Sequence, residues 1–166
     1  MLIVVLISQC EKDEPEPEVT LPDDWGLIKD KSFLNALVER GVDTNGDSII
    51  SYPEAEAVKF LDLSNCGISD MSGIELFANL EKLYCNDNQL TTLDVSHNTT
   101  LGRFNCSHNQ LTTLDISNNT ALGGLYLAYI PSLYEVCVWE MPFPPAGVNV
   151  DTTGSPNVYF TTDCSN

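Results

Sequence analysis

LEKLYCNDNQL, residues 80 to 90, and LGRFNCSHNQL, residues 101 to 111, overlay without a gap. Apolar residues coincide at Leu80 and Leu101, Leu83 and Phe104, Cys85 and Cys106, and Leu90 and Leu111, while Asn88 meets Asn109. A further copy, VKFLDLSNCGI, starts at Val58, and Leu122 opens LGGLYLAYIPSL, where Ile130 stands in the asparagine place. Between the copies lies a second half-unit, LTTLDVSHNTTL from Leu90 and LTTLDISNNTAL from Leu111. Leu80, Leu101 and Leu122 therefore recur with a period of 21 residues.

In L-x-L the two apolar residues point to one side of a strand and the residue between them to the other, so stacked coils bury one aliphatic column. A single coil could not bury enough surface to stay folded alone. The pattern L-x-x-L-x-L-x-x-N/C-x-L resembles the leucine-rich repeat. The resemblance implies a solenoid of the α/β superhelix class, mostly β, with short 21-residue coils and a parallel strand ladder over residues 58–138. Asn88 and Asn109, and Asn98 and Asn119 on the return half, fall one coil apart at the turns, where their amides can pair backbone groups. An asparagine ladder is expected, with Cys66 in that place in the first coil. Cys85 and Cys106 fill inward leucine positions and read as small buried hydrophobes, with a disulfide or metal pair as the alternative.

Register fades beyond residue 138, and residues 139–166, rich in proline, glycine and aromatics, are expected to cover the solenoid end. Cys10 aside, five cysteines remain, an odd number that prevents complete internal pairing. Cys137, between Val136 and Val138, is expected to face away from the core and to form a disulfide with Cys164.

Upstream, DKSFLNALVERGV places Phe33, Leu34, Leu37 and Val38 at helical spacing, with Asp30 or Ser32 as the cap. It leads into DTNGDSIISYPE, residues 43 to 54, whose oxygen-bearing side chains stand at the EF-hand positions. Asp43, Asn45 and Asp47, the Ile49 carbonyl, Ser51 and a bidentate Glu54 would bind Ca2+, a hard cation suited to an all-oxygen set. Ser48 occupies the place usually held by glycine, and the competing reading is an asparagine- and aspartate-rich turn that only resembles a site. Pro53 suits the start of a second helix. Residues 25–57 are thus expected to form a helix-loop-helix cap that calcium braces, since no second loop is present for the pairing that signalling EF-hands use.

The chain opens MLIVVLISQC, an apolar run too short to span a bilayer, followed by the acidic stretch EKDEPEPE. Residues 1–10 resemble a bacterial lipoprotein signal with Cys10 as the lipidated residue, a plain secretory signal being the rival, and residues 11–24 read as an acidic, disordered tether. Both signals imply an extracytoplasmic protein. The formal charge of −17 argues against nucleic acid or an anionic bilayer surface as partner.

Taken together, GVDTNGDSIISYPEAEAVKFLDLS and NLEKLYCNDNQLTTLDVSHNT resemble the leucine-rich-repeat surface lipoproteins of Bacteroidetes-type bacteria. The resemblance implies a lipid-anchored outer-membrane or cell-surface protein, a monomer, that binds a protein or glycan on another cell or host surface. It implies no enzymatic activity. The residues agree: no nucleophile with an adjacent base and no phosphate loop occurs, and His97 and His108, half a coil apart, fall on opposite sides of the solenoid. Asp94 and Asp115, one coil apart, can share a cation or form a solvated ladder.

The outward positions of the return half repeat nearly unchanged, whereas the L-x-L half varies, with Tyr84, Asn105 and Tyr126 in one column. Arg103, Tyr129, Tyr134 and Trp139 lie in or just past that half, and arginine and aromatic side chains are effective anchors. These seven residues form the candidate ligand-binding face of a binding or adhesion module. A structural spacer without a ligand is the alternative, and tyrosines on a sheet are also good strand formers.

Overall fold

The computed structural model describes residues 28–164, so the lipoprotein signal with Cys10, the tether and the first residues of the cap lie outside the described residues. Every coil contributes a three-residue strand: β1 (Phe60–Asp62), β2 (Lys82–Tyr84), β3 (Arg103–Asn105), β5 (Gly124–Tyr126) and β7 (Asn149–Asp151). They form one all-parallel sheet in the order β1-β2-β3-β5-β7, with Leu61, Leu83, Phe104, Leu125 and Val150 in a single register column. On the return side β4 (Thr113–Asp115), β6 (Glu135–Cys137) and β8 (Tyr159–Thr161) form a second parallel sheet, which stacks Leu114, Val136 and Phe160. The core is the space between these two ladders. Leu83, Cys85, Phe104, Cys106, Leu125 and Leu127 are fully buried in it, and Cys85 and Cys106 are free thiols rather than a disulfide. Burial pushes the Cys106 pKa up to about 12, as expected of packing groups rather than nucleophiles.

The asparagines hold the turns. Asn109 Nδ2 donates to the carbonyls of Cys85 (3.0 Å) and Cys106 (2.8 Å), and its Oδ1 accepts Leu90 N (3.0 Å). Asn88 does the same one coil earlier, reaching the carbonyls of Leu63 and Cys85 and the amides of Cys66 and Ile68. Asn98 and Asn119 bridge consecutive coils on the return side through Nδ2. Where Ile130 interrupts the ladder, Ser155 of the next coil takes over, accepting Ile130 N (2.8 Å) and donating to the Leu127 carbonyl (2.6 Å).

Within residues 139–166, expected as a cover, the described residues up to 164 add a further coil. β7 pairs with β5 and β8 with β6, so the described residues form five coils. The proline-rich insertion before β7 hid the period from a search for 21-residue spacing. Trp139, Phe143 and Phe160 close the end of the core as an aromatic cluster. Cys137 and Cys164 are disulfide-bonded, with Cα atoms 5.4 Å apart.

At the other end, α1 (Lys31–Glu39) buries Phe33, Ala36 and Leu37, while Val38 is exposed, so the apolar stripe runs one residue tighter than the sequence suggests. Both ends of α1 are fastened to the first coil. Asp30 caps the helix through Oδ1, bonding Ser32 N and Phe33 N, and its Oδ2 accepts from Ser69 N, Ser69 Oγ and Asp70 N. Arg40 donates to the Asp62 carbonyl on the otherwise open edge of β1 and to Cys66 Sγ (3.2 Å). Gly73, at φ 104°, lies where a Cβ would fall 2.6 Å from Ile28 Cγ1.

Candidate ligand-binding face

The strand sheet presents two outward columns. One runs Phe60, Lys82, Arg103, Gly124, Asn149, and the other Asp62, Tyr84, Asn105, Tyr126, Asp151. Neighbouring positions in a column are about 4.8 Å apart, so Tyr84 and Tyr126, two coils apart, are separated by about 10 Å. Both rings are packed against neighbours on the sheet. Tyr84 packs edge-to-face on Phe60 (centroids 5.4 Å), and Tyr126 lies over Gly124, with its Cε2 3.4 Å and its Oη 3.7 Å from where a Cβ at 124 would sit. Arg103 Cγ lies 3.6 Å from the same point, so the arginine stem and the tyrosine ring meet above a bare stretch of backbone.

Asn105 is more constrained than its place in the column suggests. Its Nδ2 donates to Asn86 Oδ1 (3.1 Å) and its Oδ1 accepts Ser107 N, which ties it into a network with Ser64 and Asp87. Tyr129 sits at the rim in the left-handed region (φ 55°), stacked on His108 (centroids 4.6 Å) and against Gly154, where a Cβ would fall 2.6 Å from its ring. Asn65, Asp87 and His108 take the same left-handed turn in the preceding coils.

Tyr134 and Trp139 belong elsewhere. Both flank β6, a strand of the return sheet, so Tyr134 is exposed on the opposite side of the solenoid and Trp139 packs on Phe143. Their place just past the L-x-L half of the fourth coil is at its return strand. The sequence reading also passed over Lys82 and Phe60, whose signal is the third place of L-x-x-L: Lys82, Arg103 and Gly124 occupy it in turn.

The return face holds a concavity of about 800 Å³, lined by Asp70, Glu75, Asp94, His97, Asp115 and Glu135 among others. His108 is on the other side, as the half-coil spacing requires. Asp70, Asp94 and Asp115 each accept the amide of a serine two residues on, at 2.8 to 2.9 Å. Hydrogen bonds from Ser72 and Ser96 hold Asp70 and Asp94 below their ordinary values. Asp62 and Asp151 close the same turn at the ends of their strands. The recurring D-x-S/T is a turn device common to both faces.

In the calcium-like loop, Asp43 accepts Gly46 N and Ser48 N, Asn45 accepts Asp47 N, and Asp47 accepts Ile49 N. Glu54 reaches back across the loop, Oε1 to Thr44 N (2.7 Å) and Thr44 Oγ1, Oε2 to Ser51 N (2.9 Å) and Ser51 Oγ. Ser51 and Glu54 form a capping box for α2 (Tyr52–Glu56), with Pro53 second in the helix rather than first. Hydrogen bonds from Ser51, then Thr44, hold the Glu54 pKa at about 2. Ile50, the residue through which paired EF-hands join, is buried in this chain's own core. Ser48 adopts φ 63°, the left-handed turn that the loop demands of its sixth residue.

Among known proteins, the family described as Leucine Rich repeats (2 copies) matches residues 56–97. The fold is a leucine-rich-repeat solenoid. Internalin J of Listeria monocytogenes serotype 4b is 37% identical over 77 residues, which cover 46% of this chain and 8% of that protein. An internalin structure from L. monocytogenes strain 4b F2365 superposes with TM-score 0.52 at 22% identity, covering 79% of this chain and 42% of its own. The chain therefore spans less than half of each relative, and what it shares with the solved internalin is the fold.

Proposed function

We propose that this chain is a non-catalytic, extracytoplasmic binding module that holds a protein or glycan of another cell against its strand sheet. Internalin-like similarity supports a surface role. The observation that carries the reading is the contrast between faces: the return face repeats Thr-Thr-Leu-Asp unchanged at Thr91–Asp94 and Thr112–Asp115, whereas the strand face gathers Tyr84, Arg103, Tyr126 and, at the rim, Tyr129. Parallel strands buried behind these residues hold them at coil spacing without a folding step on binding. The face is small, so adhesion depends on many copies on one surface. Lipidation at Cys10, as in the Bacteroidetes-type lipoproteins, would supply that density, and the chain acts as a monomer without nucleic acid.

Within this reading the cap carries structural calcium. The loop offers three carboxylates, the Asn45 amide, the Ile49 carbonyl and Ser51, all hard oxygens, and its sixth residue already has the required turn. Glu54 would exchange its hydroxyl donors, Thr44 and Ser51, for the ion while keeping their backbone amides. Calcium there would fix the cap on the first coil rather than signal.

Beads carrying the full chain should adhere to epithelial cells, and Tyr84→Ala with Tyr126→Ala should abolish adhesion while circular dichroism stays unchanged. Full adhesion by that folded variant would leave a spacer role instead.

A further inference from the structure

Resting on the binding role proposed above, we infer that the strand face takes a glycan whose terminal sugar bears a single carboxylate. Lys82 and Arg103 receive the acid, and the half-buried ring of Tyr126 receives the apolar face of a sugar.

The first argument is charge. The chain carries 24 acidic and 7 basic residues, and no Lys or Arg follows Arg103. Among the described residues the one ion pair joins Lys59 to Glu81, at the near edge of the strip, where Glu81 also feels the charge of Lys82. Arg103 makes no ion pair there despite the excess of carboxylates, and Lys82 stands beside it in register on the neighbouring strand. Two adjacent exposed cations on the face that also carries the rings complement an anion.

The second argument is shape. Tyr126 reaches over position 124, which has no side chain, and the Arg103 stem reaches the same gap, so ring and arginine border one bare stretch of backbone. Tyr126 is half-buried against this backbone rather than projecting as a protein anchor does. Its exposed ring surface is electron-rich and suits the C–H groups of a pyranose. Tyr84, about 10 Å along the column, repeats the offer at a distance suited to a second sugar of the same chain.

The third argument selects one charge over many. At physiological salt the Debye length is about 8 Å, so a carboxylate touching Lys82 and Arg103 is governed by those two cations. A long polyanion would extend over Asp62, Asp87 and Asp151 and meet the rest of the −17 charge.

The test uses the full chain on oligosaccharide pairs that differ only in the terminal acidic sugar, 3′-sialyllactose against lactose, with heparin and a polyglutamate peptide alongside and epithelial cells in parallel. Expected are binding of the sialylated member at least fivefold tighter than lactose, no tighter binding of heparin or peptide, and loss of cell adhesion after sialidase treatment. Arg103→Gln should weaken the sialylated sugar about tenfold and remove the preference, whereas Lys31→Gln, an equal charge change on α1, should not. Tyr126→Leu should weaken both sugars. Equal binding of the pair, a preference that survives Arg103→Gln, or tighter binding of heparin or peptide would overturn the inference. Adhesion that persists after sialidase yet is lost with the tyrosine variants would overturn the ligand class and leave the binding role. Absence of any adhesion by the wild-type chain would remove both.

Discussion

Replacing Asn109 by alanine tests the turn ladder that positions the binding columns. The side chain serves four backbone groups: the carbonyls of Cys85, Cys106 and Ser107, and the amide of Leu90. Two keep a second partner, because Asn88 also donates to the Cys85 carbonyl and Asp87 N to that of Ser107. The Cys106 carbonyl and the Leu90 amide lose the partner shown here. An orphaned buried polar group costs about 1–3 kcal/mol, so Asn109→Ala should destabilise the fold by roughly 4 kcal/mol. Asn109→Ser should recover about half, because Ser155 already does this work one rung beyond Ile130, with one bond accepted and one donated. Urea denaturation followed by circular dichroism measures both. A loss below about 1 kcal/mol for alanine, or serine no better than alanine, would refute the account of the turns.

Glu54 is held at about 2 by its loop partners against an ordinary 4.5, so it is ionised in the folded cap. Its stabilisation is complete above the ordinary value and disappears as pH falls from there through about 2. Hydrogen exchange at the Thr44 and Ser51 amides should accelerate across that window, and Glu54→Gln should flatten the change. Calcium should raise the melting temperature and chelator should reverse the rise, an effect absent in Glu54→Gln. Ser48→Gly should stabilise the loop by up to about 1 kcal/mol, read in the same melts, by relieving the left-handed residue. Cutting the Cys137–Cys164 link with Cys137→Ser should cost at most about 3.5 kcal/mol in denaturant titration, the loop-entropy value for a separation of 27 residues.

The parts of the fold that were legible in the sequence are those where each position has one physical solution. The 21-residue period, the inward Leu and Cys positions and the four turn asparagines follow from burial and backbone pairing alone. What lay beyond the sequence depended on relaxations of that rule. Ser155 replaces an asparagine, and the longer last coil breaks the period, so the fifth coil resembled a cover. The candidate face was half legible: Tyr84, Arg103, Asn105 and Tyr126 share the strand sheet, whereas Tyr134 and Trp139 fall with the return sheet. The lie of Tyr126 across Gly124 needed coordinates, because a missing side chain has no signal of its own in a pattern of leucines.

Hydroxyl-radical footprinting of the full chain bound to epithelial cells tests the central claim most directly, since tyrosines mark each surface in the unmodified protein. Tyr84 and Tyr126 report on the strand face, Tyr134 and Tyr159 on the return side, and Tyr52 on the cap. The account predicts that binding protects Tyr84 and Tyr126 while oxidation of Tyr134, Tyr159 and Tyr52 is unchanged. Protection of Tyr134 and Tyr159 with Tyr84 and Tyr126 still reactive would contradict it.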